Sequence, residues 1–163
     1  MDDLFAPPAA AWRRVSPRLA VVRRGLLAVW SVVGLVVLLL TWRLLSVDGR
    51  LVAAAVVALV GLAGWGWWVI GRAVARWGYV ELPEELAITR GSLYRRLVVV
   101  PYGRMQYVDV QAGPLDQLVG LATVQLHTAS PGTTATIPGL LPAEAARLRD
   151  RLTEMGEAQA AGL

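Results

Sequence analysis

The sequence predicts a two-helix membrane hairpin followed by a small, mostly-β domain, a barrel or pair of packed sheets capped by one C-terminal α-helix. Three observations predict it. Gly25–Trp42 and Leu51–Gly71 are uncharged runs of 18 and 21 residues, separated only by the eight residues Arg43–Arg50. Beyond Arg72 the apolar pattern shortens to a period of two, interrupted by Pro, Gly and Ser. From Pro142 onward it lengthens again to helical spacing.

At about 1.5 Å per residue the two runs extend roughly 27 and 32 Å, enough to cross a hydrocarbon core. The first contains eleven Leu or Val, each favouring insertion by about 0.3–0.6 kcal/mol. The second is richer in Ala and Gly and ends in Trp65, Trp67 and Trp68. Ala54, Ala58 and Gly61 share a face and are expected to admit the first helix near Gly34, although high alanine content alone gives the same pattern. A cleaved signal peptide is disfavoured: the first run is long, no small-residue cleavage site follows, and a second run begins at once.

Cysteine is absent from the 163 residues, which excludes disulfides and thiolate metal sites. Residues 1–77 carry nine Arg and three Asp, whereas residues 78–163 carry seven Arg and nine acids. The basic excess therefore belongs to the membrane flanks, and nucleic acid is not an expected partner. Arg13, Arg14, Arg18, Arg23 and Arg24 precede the first run, Arg72 and Arg76 follow the second, and the connection holds only Arg43, Asp48 and Arg50. The positive-inside rule then predicts a multi-pass protein of the plasma membrane with both termini and the β domain cytoplasmic. Residues 1–24 read as a tail, loose over 1–12. They are followed by the hairpin 25–71, a linker 72–78, the domain 79–155 and a tail 156–163. Arg23, Arg24, Arg72, Arg76 and Trp77 are the expected juxtamembrane anchors.

Within the domain, Tyr79–Leu82 and Glu85–Thr89 read as strands parted by Pro83-Glu84, and Arg90-Gly91-Ser92 as a turn. Leu93–Val100 is a β-rich run ended by Pro101. Met105–Val110 alternates, placing Met105, Tyr107 and Asp109 opposite Gln106, Val108 and Val110. Pro114–Leu118 suits a short helical turn before Gly120. Thr123–Thr128 alternates again, with Val124, Leu126 and Thr128 on one face. Ser130-Pro131-Gly132 marks a turn and Thr133–Ile137 a last strand, ended by Pro138-Gly139. In the final helix Pro142 opens the first turn, Glu144 complements the dipole, and Ala145, Leu148, Leu152 and Met155 form the apolar stripe.

No set of residues converges on catalysis. His127 has no second His or any Cys with which to share a metal, and its neighbours alternate as in an ordinary strand. Glu84-Glu85 reads as a solvated turn. No phosphate-binding Gly-rich loop or nucleophile elbow occurs. Intramembrane ionisable residues, the mark of transport pathways, are also missing from both runs. The expectation is a non-enzyme without cofactor or metal.

Residues 100–121 contain Val100-Pro101-Tyr102-Gly103-Arg104-Met105-Gln106-Tyr107-Val108, then Gln111, Gly113-Pro114-Leu115 and Leu118-Val119-Gly120-Leu121. With Arg90-Gly91-Ser92-Leu93 before and Ile137-Pro138-Gly139-Leu140 after, this resembles the bacterial pleckstrin-homology-like (PH-like) domain of YdbS-like membrane proteins, over about Arg23 to Met155. The resemblance implies a PH-like barrel capped by its last helix and facing the cytoplasm, without catalytic residues. It assigns Pro101, Gly120 and Gln106 to the fold, as strand end, tight turn and backbone hydrogen-bonding group. It also suggests, as partner, a larger relative with several such domains. Eukaryotic PH domains hold lipid phosphates with basic side chains around their first hairpin. The corresponding Leu82–Glu85 here is acidic, and the domain's net negative charge argues against phosphoinositide recognition. Arg90, Arg95 and Arg96 cluster at the next turn, either as a solvated strand face or in contact with anionic lipid. The expected role is a membrane-tethered protein interaction or assembly module with a membrane protein partner, a homo-oligomer being possible. The alternative is a sensor or binder of anionic membrane lipids.

The topology is directly checkable because the chain has no native thiol. A lone cysteine at Ser46 reacts with an impermeant maleimide in intact cells, and one at Ser130 does not. The reverse pattern overturns the orientation.

Overall fold

A computed structural model describes residues 11–45, 47–128 and 135–160 of the chain. Ser46, the Ser130-Pro131-Gly132 turn and the start of the predicted last strand lie outside the described residues.

The hairpin consists of α1, Arg18–Leu45, and α2, Gly49–Ala75. Both are long and apolar enough to span a bilayer, and neither apolar stretch is buried within the fold. The Asp48 carboxylate caps α2 by accepting from the Arg50 N–H at 2.8 Å. Ser31 and Thr41 donate to the carbonyls of Leu27 and Val37 at 2.7 and 2.8 Å, so their hydroxyls are satisfied without water. Half-buried positions on α1 (Leu27, Ser31, Gly34, Leu38, Thr41) and on α2 (Val56, Leu59, Ala63, Gly66, Ile70) recur at alternating steps of four and three. That is the spacing of a left-handed helix pair. Gly34 faces Leu59, as a Cβ there would meet Leu59 Cδ1 at 3.6 Å, and Gly66 faces Leu27 at 3.1 Å. The predicted seam of Ala54, Ala58 and Gly61 is corrected: all three are exposed. The contact stripe runs through neighbouring positions, where Leu27 and Leu59 fill the room left by opposing glycines.

Two antiparallel sheets follow. The first has the order β1 (Arg13–Arg14), β2 (Gly78–Glu81), β3 (Glu85–Arg90), β4 (Arg96–Pro101). A 3-10 turn, Tyr102–Arg104, leads into the second sheet, β5 (Met105–Gln111), β6 (Ala122–Thr128), β7 (Ala135–Leu140), with the short α3 (Pro114–Leu118) between β5 and β6. The last element, α4, spans Pro142–Ala160. Leu86, Ile88 and Val100 from one sheet meet Val124, Leu126 and Ile137 from the other, and Ala145, Leu148 and Leu152 of α4 cover them. All nine are essentially inaccessible. Each Leu- or Ile-sized side chain so buried contributes about 1.5–3 kcal/mol. The stripe read from the sequence of α4 is therefore the face that closes the core.

Several boundaries differ from expectation. The assigned tail 1–24 is not all tail. Arg13 and Arg14 pair with Tyr79 and Gly78, and Val15, Leu19 and Ala20 join the domain core. The assigned linker starts inside α2, which continues through Ala75 because nothing between Arg72 and Ala75 breaks a helix. Register between Arg90 and Arg96 closes a five-residue turn over 91–95, so β4 begins three residues after Leu93. A bulge between Met105 and Tyr107 breaks the strict alternation of β5. Met105 consequently packs on the core together with Val108 and Val110, while Tyr107 is exposed. Gly120 occupies the expected turn at φ +64.

The Pro138-Gly139 pair does not end β7, which runs on to Leu140. Gly139 has φ +72, and a Cβ there would lie 2.9 Å from Cβ of Leu19 at the start of α1. Strain and collision act together, so Gly139→Ala is expected to cost about 2–3 kcal/mol. A fall of several degrees in the unfolding midpoint of the purified protein checks this.

Candidate functional site

Where the hairpin leaves the bilayer, three arginines lie over indoles: Arg24 on Trp67 at 4.7 Å, Arg72 on Trp68 at 5.1 Å and Arg23 on Trp77 at 5.2 Å. Such pairs combine an interfacial aromatic with a cation that reaches headgroups. Arg24 crosses to α2 over Gly71, where a Cβ would overlap its guanidinium. Arg23, Arg24, Arg72 and Trp77, expected from the sequence as anchors, are thus each engaged in an arginine–indole pair at this end of the hairpin.

Arg76, the remaining anchor, belongs to a different structure. It caps the C-terminal end of α2 and donates from Nη1 to the Ser92 carbonyl at 2.6 Å, holding the 91–95 turn against the helix end. Beside it opens a cavity of about 250 Å³ lined by Trp12, Arg14, Arg76, Trp77, Arg90 and Arg95 together with backbone of the strand ends. Among the described residues its wall contains four arginines and no acid. Arg14 Nη1 donates to the Ala75 carbonyl at 2.5 Å, which fixes the first arm of the cluster. Of the three arginines singled out from sequence, Arg90 and Arg95 line this cavity. Arg96 is opposite Arg90 on β4, exposed and outside it. Sequence reading missed Trp12 and Arg14, because only the pairing of β1 with β2 brings the N-terminal arm to the site.

A second polar cluster ties α4 to the hairpin ends. Glu144 Oε1 accepts from the Tyr79 hydroxyl at 2.5 Å, from Arg13 Nη1 at 2.7 Å and from Arg147 Nη2 at 3.1 Å. Arg147 also donates to both oxygens of Glu81, at 2.6 and 3.3 Å. The Tyr79 hydrogen bond, then those of Arg147 and Arg13, overcome partial burial and hold Glu144 down at about 2. Burial, then the neighbouring carboxylate, push Tyr79 up to about 12. Each carboxylate here is held by at least one arginine, as a structural staple requires, while the buried Nε of Arg147 has no acceptor in the structure. His127 stacks on Tyr107 at 4.2 Å between centroids. No group of three or more potential metal ligands occurs among the described residues.

A spanning hairpin whose ends are built into a small two-sheet domain, covered by a C-terminal helix, defines a membrane protein with a PH-like domain. The chain belongs to the bacterial PH domain family, whose model matches residues 18–156, helices and β domain together. It is 39% identical over 79 residues to the UPF0699 transmembrane protein YdbS of Bacillus subtilis (strain 168). That stretch covers 48% of this chain and 48% of the relative, so the match spans about half of each. No solved structure matches the chain.

The depressed Glu144 makes a pH prediction. Its stabilisation is fully present above the unfolded carboxylate value of about 4.5 and is lost as pH falls toward about 2. Glu144→Ala, which strands the partly buried Tyr79 hydroxyl and leaves Arg147 only Glu81, is expected to cost about 1–3 kcal/mol at neutral pH. It should also flatten the loss of stability between pH 4.5 and 2. Denaturant midpoints of both proteins across that range check the sign.

Proposed function

We propose that the protein is a non-catalytic assembly module of the plasma membrane, its PH-like domain on the cytoplasmic side and docked to a second membrane protein by strand addition. The observation that carries this is the outer edge of β4. β4 terminates its sheet, and no described strand pairs with its far side. Its register with β3 is continuous, without a bulge, and between Arg96 and Pro101 it presents only Leu97, Val98, Val99 and Val100. Such an edge is normally guarded by charge, irregularity or a covering segment. Left open, it accepts an extended segment through main-chain hydrogen bonds, with the half-exposed Val99 supplying apolar contact. Confinement beside the bilayer raises the effective concentration of a membrane partner, so a short strand suffices. A relative with several PH-like domains fits this description, and a second copy of this chain pairing through the same edge is the symmetric form. The arginine-rich flanks of the hairpin support the cytoplasmic placement.

The test is capture of tagged protein in nanodiscs cut directly from native membranes, comparing wild type with Val99→Lys and with Glu154→Lys on the outer face of α4. A stoichiometric protein companion is expected with wild type and Glu154→Lys. It should be reduced on the order of tenfold with Val99→Lys, equivalent to about 1.4 kcal/mol. A companion equally retained by Val99→Lys, or no companion at all, defeats the reading.

A further inference from the structure

We infer that two surface elements of the β domain, the 91–95 turn and α3, insert apolar side chains into the headgroup–acyl boundary of the bilayer that the hairpin spans. This rests on the hairpin being embedded and is separate from strand addition at β4.

Position comes first. Seven large hydrophobic side chains are exposed among the described residues outside α1 and α2, and four of them, Leu93, Tyr94, Leu115 and Leu118, belong to two short elements held against the hairpin. The 91–95 turn is held by α2, where Arg76 Nη1 donates to the Ser92 carbonyl at 2.6 Å. The short α3 is held by α1: Arg18 Nη1 donates to the carbonyl of Val119, the residue that ends α3, at 3.3 Å, and Asp116 lies within electrostatic reach of Arg23. A single exposed leucine is ordinary on any surface. Two apolar pairs, one beside each helix that enters a bilayer, call for an apolar neighbour, and the bilayer is the one already adjacent.

Depth agrees with this. The first apolar run begins just after Arg24 and the second ends just before Arg72, so these two residues mark the edge of the hydrocarbon. Arg76 lies about 6 Å further out along α2. On α1, Arg23 adjoins Arg24, and Arg18, about 7.5 Å beyond Arg23, holds the other end of α3. The polar layer of a bilayer is roughly 5–8 Å thick on each side. Both elements are therefore attached to the hairpin at headgroup depth. Gly91, at φ +119 and with the Tyr94 carbonyl where a Cβ would stand, folds the turn back on itself and leaves Leu93 and Tyr94 at its tip, 63% and 91% exposed. A tyrosine at this level directs its ring toward the acyl chains and its hydroxyl toward the headgroups. Leu115 and Leu118, the latter 82% exposed, are three residues apart in α3 and share one side of it. Contact of this kind uses apolar area at the membrane surface and asks for no particular headgroup.

The experiment uses the full chain in phosphatidylcholine nanodiscs, both faces of which are open to solvent. Because the chain has no native cysteine, an environment-sensitive fluorophore is attached singly to Leu93→Cys, Leu118→Cys, Val36→Cys within α1 and Glu154→Cys on the outer face of α4. Emission from Leu93→Cys and Leu118→Cys is expected to fall when the lipids carry a nitroxide at the carbonyl end of the acyl chain, and to resist aqueous iodide. Val36→Cys should lose emission to a nitroxide at the methyl end, and Glu154→Cys to iodide alone. If Val36→Cys responds in this way while Leu93→Cys or Leu118→Cys behaves as Glu154→Cys, the hairpin is embedded, the domain stands clear of the surface, and the inference is overturned. Protection from iodide without quenching by either lipid marks a protein contact and overturns it too. A Val36→Cys label quenched by iodide and by neither lipid removes the embedded hairpin, and the inference with it.

Discussion

The membrane hairpin is an insertion between two neighbouring strands of one sheet, and the rest of the structure depends on that pairing. Arg13 and Arg14, ahead of α1, are in register with Tyr79 and Gly78, beyond α2. The chain must therefore cross the membrane, return, and close to about 4.8 Å, the spacing of paired strands. Val15 and Leu19 enter the domain core on one side of this closure and Val74 on the other. Ser16 N–H donates to the Gly139 carbonyl at 2.8 Å, which ties the same arm to the second sheet. Both ends of the hairpin are thus packed into the domain.

The ion network repeats this logic with charge. One carboxylate, Glu144 on α4, receives hydrogen bonds from Arg13 before the hairpin and Tyr79 after it. Arg147, one turn along α4, reaches Glu81 at the far end of β2. The C-terminal helix thus binds both hairpin ends to the strand leading away from them. Pairs this exposed would contribute little singly. The share of stabilisation that matters comes from the partly buried Tyr79–Glu144 contact, which would leave a desolvated hydroxyl if broken.

What was legible in the sequence was what local periodicity encodes. The two spans, the α4 stripe and the Val124–Leu126 alternation all follow from the repeat of apolar residues, because each element buries one face against a fixed neighbour. What was not legible depends on partners distant in sequence. Nothing in Arg13-Arg14 marks a strand; two residues acquire that conformation only because β2, beyond the whole hairpin, offers an edge at Gly78 and Tyr79. The bulge at Gln106 likewise answers to the partner strand, which is why Met105 changed sides. The candidate site shows the same division. Arg90, Arg95 and Arg76 stand out as charge clusters, but only the fold separates Arg96 from them and adds Arg14 and Trp12.

The fold also changes how the domain's charge is to be weighed. Summed over residues 78–163, acids outnumber arginines, which on composition alone argues against an anionic ligand. Within the first sheet, strand topology segregates the two signs. β2 starts at the end of α2, so the β2–β3 turn with Glu84 and Glu85 falls at the end of the sheet remote from the hairpin. Arg90, Arg95 and Arg96 fall at the near end. The six residues of β3 put about 17 Å between Glu85 and Arg90 at roughly 3.3 Å per residue. The Debye length at physiological salt is about 8 Å. Glu84 and Glu85 are therefore screened from the near end, where Arg90, Arg95 and Arg96 lie. The relevant quantity is the field at the membrane-facing surface, and there the basic side chains dominate.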